Sequence, residues 1–535
     1  MNRLHNINCL GDKPPTHRTR RLRALAFIAV IAIPAIAVSS DRTYADDWPQ
    51  YAGDAAHHST AVAAPVDLSA HLWTASQNPS GVSLVFEGPS SPVVHQGRLF
   101  ANARTFTGTT HVANKLVAID AATGGVLWET PILKGVLNSW SSPAVDAAHD
   151  TVLIGSGHTL YAMHASNGAI AWSTPLSRSI VNASPTVADG LSPGRVFITD
   201  FDGGGSAGSL YCINTSSFDA VTNPFQPGEI VWRELLGGTS GNTAAFQDGV
   251  VYVASVTDAD SPGFPGEGHV FAFDVHAGEG ERRLWSTGAG EGFFGGVTLR
   301  NGFVYAASYD TFGGQDNSVL VKIRASDGQL AWSTPCERTN SIPIVAGNMI
   351  YLSAGIPGFG SVPKLEAFED LGNNAVKLWD TYNSTAGTLL VGGWTHQPAI
   401  AGNVLFCGTI PTGNAFFGAY TDLYLLDLTR NPADPDFIFD HRTGAGSSPA
   451  VCGGRVYSIG PAGLAAFGSI GDLCSATAGA AAADGLVNGA DVQCFVDALL
   501  SGNPSSREIA LGDFDGDMQL TVNDVPPFIE QLMMP

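Results

Sequence analysis

Basic residues are scarce in this chain of 535 residues: 26 Lys and Arg face 48 Asp and Glu, giving a formal net charge of −22. Nucleic acid is therefore excluded as a partner, because phosphate recognition needs a concentrated Lys/Arg surface. Long apolar runs are also missing. The candidate apolar run, the uncharged residues 24–38, is too short for a comfortable membrane span. Cysteine numbers only 7, with no two adjacent and no CxxCH pattern, so the sequence offers no haem attachment site. HExxH and the phosphate-binding glycine loop are absent as well. That removes the common signatures of zinc peptidases and nucleotide enzymes.

What is abundant is glycine, 63 residues of it, which reads as many short strands joined by tight turns. One phrase returns eight times. Its fullest copies are SSPVVHQGRLF…KLVAIDAATGGVLW (90–128) and SSPAVDAAHDTVLIGSGHTLYAMHASNGAIAW (141–172). Repeats of roughly 40–50 residues with about four strands each are propeller blades, because one blade cannot bury both faces of its sheet alone. The opening Pro or its equivalent falls at Pro92, Pro143, Pro185, Ala244, Val297, Pro343 and Pro398, and the eighth copy opens at Pro449 but stops after three strands. HLWTA (71–75) supplies the missing outer strand. The expected fold is an all-β, eight-bladed propeller over residues 46–470, closed velcro-fashion by strands from both ends; seven blades is the alternative count. Trp73, Trp128, Trp172, Trp232, Trp285, Trp332 and Trp379 mark the blades, and blade seven carries Phe437 and Phe439 instead. These rings are read as packing between blades.

AIDAATGGVLW (118–128) resembles the tryptophan-docking motif of pyrroloquinoline-quinone (PQQ)-type propellers, and DWPQYAGDAAHHS (47–59) is similar to the segment that often precedes them in secreted bacterial proteins. The resemblance covers about residues 48–468 and is weakest in blades six and seven. It implies, for the dehydrogenases of that family, a quinone beneath an adjacent Cys-Cys ring, with calcium held by Glu and Asn and an Asp base. No Cys-Cys dipeptide occurs here, so PQQ is not expected. A quinone- or sugar-dependent oxidoreductase with an atypical site stays the alternative, since fold alone does not fix function.

Residues 1–45 read as a cleaved signal peptide: Arg18, Arg20, Arg21 and Arg23, then the apolar stretch, then Thr43-Tyr44-Ala45. Sec export is expected over the twin-Arg route, placing the mature protein in the periplasm, at the cell surface or outside the cell. Cys474 with Cys494 is the favoured disulfide and Cys407 with Cys452 the second choice. His57 and His58 are read as solvated.

From residue 471 the pattern turns helical, with Val492, Phe495, Val496, Leu499 and Leu500 on one face. DFDGDMQLTVND (513–524) reads as a twelve-residue calcium loop: Asp513, Asp515 and Asp517, then the Gln519 carbonyl, Thr521 and Asp524. Met518 stands where Gly is expected. A weaker copy, AAAADGLVNGAD (480–491), keeps Asp484, Leu486, Asn488 and Asp491 but has Ala480 and Ala482 at ligand positions. The loop-helix pair over 471–535 resembles a small α-helical, EF-hand-like dockerin domain, which implies calcium-stabilised folding and, in some systems, a cohesin-like partner. A calcium-stapled cap is the plainer reading.

Within the propeller, the residues before each innermost strand are expected at the channel mouth: Trp140, Asn182, Asn242, Phe294, Asn340 and His396. Amides and aromatics without a carboxylate cluster suit binding better than acid–base catalysis. Long loops in blades three to seven share that rim with Phe264, Phe312, Phe359, Phe416, Phe417 and Tyr420. The sequence therefore predicts an exported, monomeric, non-catalytic scaffold that takes a protein or carbohydrate partner at this face, with calcium in its tail.

Overall fold

The computed structural model describes residues 47–263, 266–311, 313–357, 361–382, 389–410, 420–474, 485–515 and 517–533. The expected signal peptide lies outside them, as do Phe264, Phe312, Phe359, Phe416, Phe417 and Asp484.

Eight antiparallel sheets follow one another along the chain. Their innermost strands are Val93–His95, Ala144–Asp146, Thr186–Val187, Ala245–Gln247, Thr298–Arg300, Ile344–Ala346, Ala399–Ala401 and Ala450–Cys452. The innermost strands lie against one another in succession from the first to the sixth and from the seventh to the eighth, and the eighth meets the first. The chain is thus an eight-bladed β-propeller. Blade eight has three strands of its own; its outer strand is Ala70–Ala75, which pairs antiparallel with Gly463–Gly468 so that Ala70 faces Gly468.

The repeated phrase now has a physical reading. The hydroxyl residue before each Pro laces one blade to the next. Ser142 Oγ accepts from Ser91 N at 2.8 Å, Ser184 Oγ from Ser142 N at 3.0 Å, and Thr243 Oγ1 from Ser184 N at 3.2 Å. The belt is interrupted where Gly296 and Ile342 take this position. Gln397 bridges the gap with its amide: its Oε1 accepts from Ile342 N at 2.8 Å and its Nε2 donates to Ile342 O at 3.1 Å. The Trp and Gly of the phrase form a second lace at the outer edge. Trp73 donates its indole N–H to Ala121 O, and Trp128 donates to Ala165 O. Gly124, at φ +71°, lies flat on the Trp73 ring, where a Cβ would come within 2.6 Å. Only glycine satisfies both demands. The Trp that docks blade eight onto blade one therefore comes from the N-terminal strand.

The segment ahead of blade one is not a solvated leader. It seals one end of the channel by bonding to successive blades. Val94 N donates to Trp48 O, Val145 N to Pro49 O, Phe246 N to Ala55 O, Leu299 N to Ala56 O and Ile400 N to Ser59 O. Gln50 Oε1 accepts from Val187 N, and Thr60–Ala61 lies parallel to Ile400–Ala401. Trp48 is buried in the core between the first and last blades. His57, expected in solvent, is only 1% exposed and bonds through Nδ1 to Val297 O at 2.8 Å. His58 is partly covered and meets Asp54 at 2.6 Å.

Three short helices end the chain: α1 Asp491–Leu500, α2 Ser506–Gly512 and α3 Val525–Leu532. The buried face of α1 is Phe495 and Ala498. Val492, Val496 and Leu500 are exposed, which corrects the face read from periodicity. Phe495 stacks on Phe528 at 4.1 Å, and this small core continues onto Ala70 and Leu72 of the closing strand. A disulfide joins Cys474 to Cys494. No disulfide joins Cys407 to Cys452, because each is buried in a different inter-blade core.

Candidate functional site

In this topology the connections entering each innermost strand and the loops between middle strands emerge at the same end, opposite the sealed one. There a small axial well of about 30 Å³ is lined by Trp140, Asn182, Phe294 and Asn340, with Ser142, Ser184, Thr243 and Thr395. Tyr51 of the sealing segment forms part of its wall, and burial pushes its phenol up. The hydroxyl belt is thus also the polar lining of the well.

Four of the six residues expected at the mouth come together here. Two do not. Asn242 is fully buried and ties blade four's entry to blade five's, donating to Phe293 O at 2.7 Å and Gly295 O at 3.0 Å. His396 is also fully buried: its Nε2 accepts from Gly408 N at 2.9 Å, and the ring packs on Tyr420 at 4.9 Å. Burial pushes the His396 imidazole down to about 3, so it is neutral at ordinary pH. Tyr420, expected on the rim, is the buried partner of that histidine.

Asn340 Nδ2 and Oδ1 and Asn182 Oδ1 are shielded from solvent and have no hydrogen-bond partner among the described residues. Buried amide atoms left so are uncommon in folded proteins. An aromatic row crosses the same mouth. Trp140 meets Trp394 edge-on at 6.0 Å, Trp394 meets Tyr309 at 5.9 Å, and Tyr309 meets Phe294 at 4.4 Å. Trp394 and Tyr309 escaped the sequence reading because they sit in loops that differ between blades. The one available signal was their position just before an innermost strand and just after a second strand.

A quinone does not fit this well. Ligand pockets for molecules of that size measure about 300–1,000 Å³, against about 30 Å³ here. The lining is neutral and carries no adjacent cysteine pair.

In the tail, the carboxylate oxygens of Asp513, Asp515 and Asp517 lie within 4.8 Å of one another, which suits a hard cation. Met518 takes φ +64°, so the position expected to be glycine is left-handed all the same. Its backbone N–H bonds to Asp513 Oδ2 at 2.8 Å. Asp524 is buried and its carboxylate ties the loop, accepting from Phe514 N, Asp515 N and Thr521 N. Partial desolvation and the neighbouring carboxylates raise the Asp515 carboxyl. Gln519 N and Thr521 Oγ1 are engaged within the loop itself.

The weaker copy repeats this plan in a different register. Asp491 accepts from Leu473 N, Cys474 N and Asn488 N, as Asp524 does in the second loop. Gly485, at φ +87°, donates to Asp472 Oδ2, as Met518 does to Asp513. Asp472, not Ala480, therefore stands in the place of Asp513, and the disulfide-bonded Cys474 stands in the place of Asp515. Leu486 is exposed beside Asn488.

Residues 266–414 match a family model described as "Outer membrane protein assembly factor BamB". That span includes blade six and the first two strands of blade seven, where the repeat looked most diverged. No curated protein matches the chain at a significant level. Among solved structures, the chain is similar to the quinohemoprotein alcohol dehydrogenase of Comamonas testosteroni, with TM-score 0.54 and 13% identity over 80% of this chain and 78% of that one. It is also similar to the quinohemoprotein alcohol dehydrogenase ADHIIG of Pseudomonas putida HK5, with TM-score 0.54 and 12% identity over 80% and 77%. A europium-containing methanol dehydrogenase follows, with TM-score 0.52 and 9% identity over 78% and 88%. At these identities the likeness concerns fold. In architecture, strand order and repeat, the chain is a quinoprotein-like eight-bladed β-propeller.

Proposed function

We propose that this protein is an exported, non-catalytic propeller that holds a protein or glycan partner at its loop-bearing end. The observation that carries the reading is the axial well, where the unpartnered Asn182 Oδ1 and the unpartnered amide of Asn340 meet a row of four aromatic rings. Amide donors and acceptors beside flat apolar walls bind polar partners without moving protons. The match to the assembly-factor model is consistent with a scaffold. Among the described residues no helix is long and apolar enough to cross a membrane. Reconstitution with PQQ and calcium tests the reading: no tight binding and no dye reduction are expected, and either would instead favour the oxidoreductase suggested by fold alone.

The tail completes the proposal. Asp513, Asp515 and Asp517, with the Gln519 carbonyl, Thr521 and Asp524, would hold calcium, which supplies only charge neutralisation and loop rigidity there. Because α2 and the tail core rest on Leu72 of the closing strand, the ion would also steady the ring closure. Titration calorimetry should find a calcium site that disappears in Asp513→Ala. A cohesin-like partner would use the exposed Val492, Val496 and Leu500 stripe.

A further inference from the structure

Phe294 is shared between the axial well and a second, larger cavity. This crevice measures about 350 Å³ and opens between blades four and five, lined by Val256, Glu267, Glu291, Phe294, Tyr309 and Asp310, with glycines and Thr311 completing its walls. Among the described residues, no basic one lines it. Its shape follows from the glycines: Gly290 has open space where a Cβ would stand, and a Cβ on Gly292 would come within 2.6 Å of Val256 O.

The acidic wall is held in place. Gly268 N donates to Glu291 O at 3.0 Å, and Tyr309 N donates to Gly292 O at 2.8 Å. Ser308 Oγ accepts from Val319 N at 2.8 Å, so its single proton points to Glu291 Oε2, 2.7 Å away. A fixed donor leaves Glu291 as an acceptor of set orientation. Burial, and then the neighbouring Asp310 charge, raise the Glu291 carboxyl, so the arrangement would be relieved by a cation. The opposite wall is the Phe294–Tyr309 pair, with centroids 4.4 Å apart. The positive group beside that wall, Arg338, has its guanidinium 5.8 Å from the Tyr309 centroid. It is engaged by Glu337 and by the Thr311 and Gly313 carbonyls.

We propose that this crevice receives the guanidinium or ammonium group of an arginine or lysine side chain on a partner protein. Glu267, Glu291 and Asp310 face the charge, and Phe294 and Tyr309 carry the stem. This rests on the loop-bearing end being the binding face and chooses a protein over a glycan for it. Carboxylate pairs recognise guanidinium through charge-assisted bonds, and aromatic faces add to the attraction of a cation. The strongly acidic character of the whole chain draws such a partner in.

The test uses the full chain and three probes at millimolar concentration, Ac-Gly-Arg-Gly-NH2, Ac-Gly-Glu-Gly-NH2 and maltotriose, read by ligand-detected NMR. The arginine peptide should bind and weaken with added salt, and its affinity should fall about tenfold or more in Glu291→Gln/Glu267→Gln. Glu267 is exposed, so Glu267→Gln alone keeps the fold and should show a smaller loss if the double variant does not fold. Failure of the arginine peptide to bind, equal binding by the acidic peptide, or affinity unchanged in the variants overturns the proposal. Maltotriose binding that ignores both substitutions but falls in Asn182→Ala and Asn340→Ala also overturns it, while leaving the loop-bearing end as the binding face. Arginine-peptide binding lost in the glutamate variants and kept in the asparagine variants supports the crevice itself.

Discussion

The two ends of the channel are built from the same repeat and do opposite things. At the sealed end, residues 47–61 give backbone and side-chain bonds to most blades, and even a histidine is buried with its ring nitrogen satisfied. At the open end, the residues entering the innermost strands leave amide groups without partners and aromatic rings at the mouth. A propeller needs each blade fastened to the next, but it needs only one end closed to become rigid. The other end is then free to carry side chains that contribute little to stability and can serve recognition.

This contrast gives three substitutions with graded outcomes. The largest effect is expected at the sealed end. Trp48→Ala removes a buried indole from the core joining first and last blades, and should cost about 3–5 kcal/mol in chemical denaturation. Stability within error of the parent would mean that the segment decorates the ring rather than locks it. The second concerns acid. Burial holds the His57 imidazole down to about 4, whereas an unfolded histidine titrates near 6.5. The folded protein therefore binds fewer protons than the unfolded chain between those values. The stability that depends on neutral His57 is intact above about pH 6.5 and is lost as pH falls toward 4, by up to about 1.4 kcal/mol per pH unit for one proton. His57→Asn should flatten that part of the profile relative to the parent. Parallel profiles would show that His57 does not enter the fold neutral. The smallest effect belongs to the open end: Asn340→Ala should move stability by no more than about 0.5 kcal/mol, since its amide makes no bond within the described protein. A larger loss would assign Asn340 to the framework and erase the contrast.

The tail offers the same lesson on a smaller scale. Asp491 and Asp524 each gather three backbone N–H groups, one set at each loop. Among the described residues, only the second loop also brings three carboxylates together. Spacing alone misplaced the first loop's register. A loop of one length was assumed, whereas Asp472 reaches across a longer one to Gly485.

Much of the propeller was legible because its rules are local and repeated. Small hydroxyl residue, Pro, Gly turn and Trp recur in one order, and each has one physical task where it occurs. The blade count and the origin of the outer strand of blade eight could be read from where the phrase begins and stops. The mouth was half legible. Trp140, Asn182, Phe294 and Asn340 were found by their place in the repeat, but that place does not say which way a side chain turns. Asn242 and His396 hold the same position and point into the protein, where Phe293 O, Gly295 O and Gly408 N require a partner.

The sequence by itself determined the eightfold repeat and the acidic loop of the tail, because each rests on residues near one another in the chain, and it pointed to the closure because the strand missing from the last copy stands ahead of the first. Only the tertiary structure decided that the polar lead segment seals the channel and that Trp394 and Tyr309 join Trp140 and Phe294 in one row. It also decided that Glu267, Glu291 and Asp310 face one crevice. Those outcomes depend on backbone bonds and ring contacts between blades far apart in sequence, and no local pattern records which blades will meet.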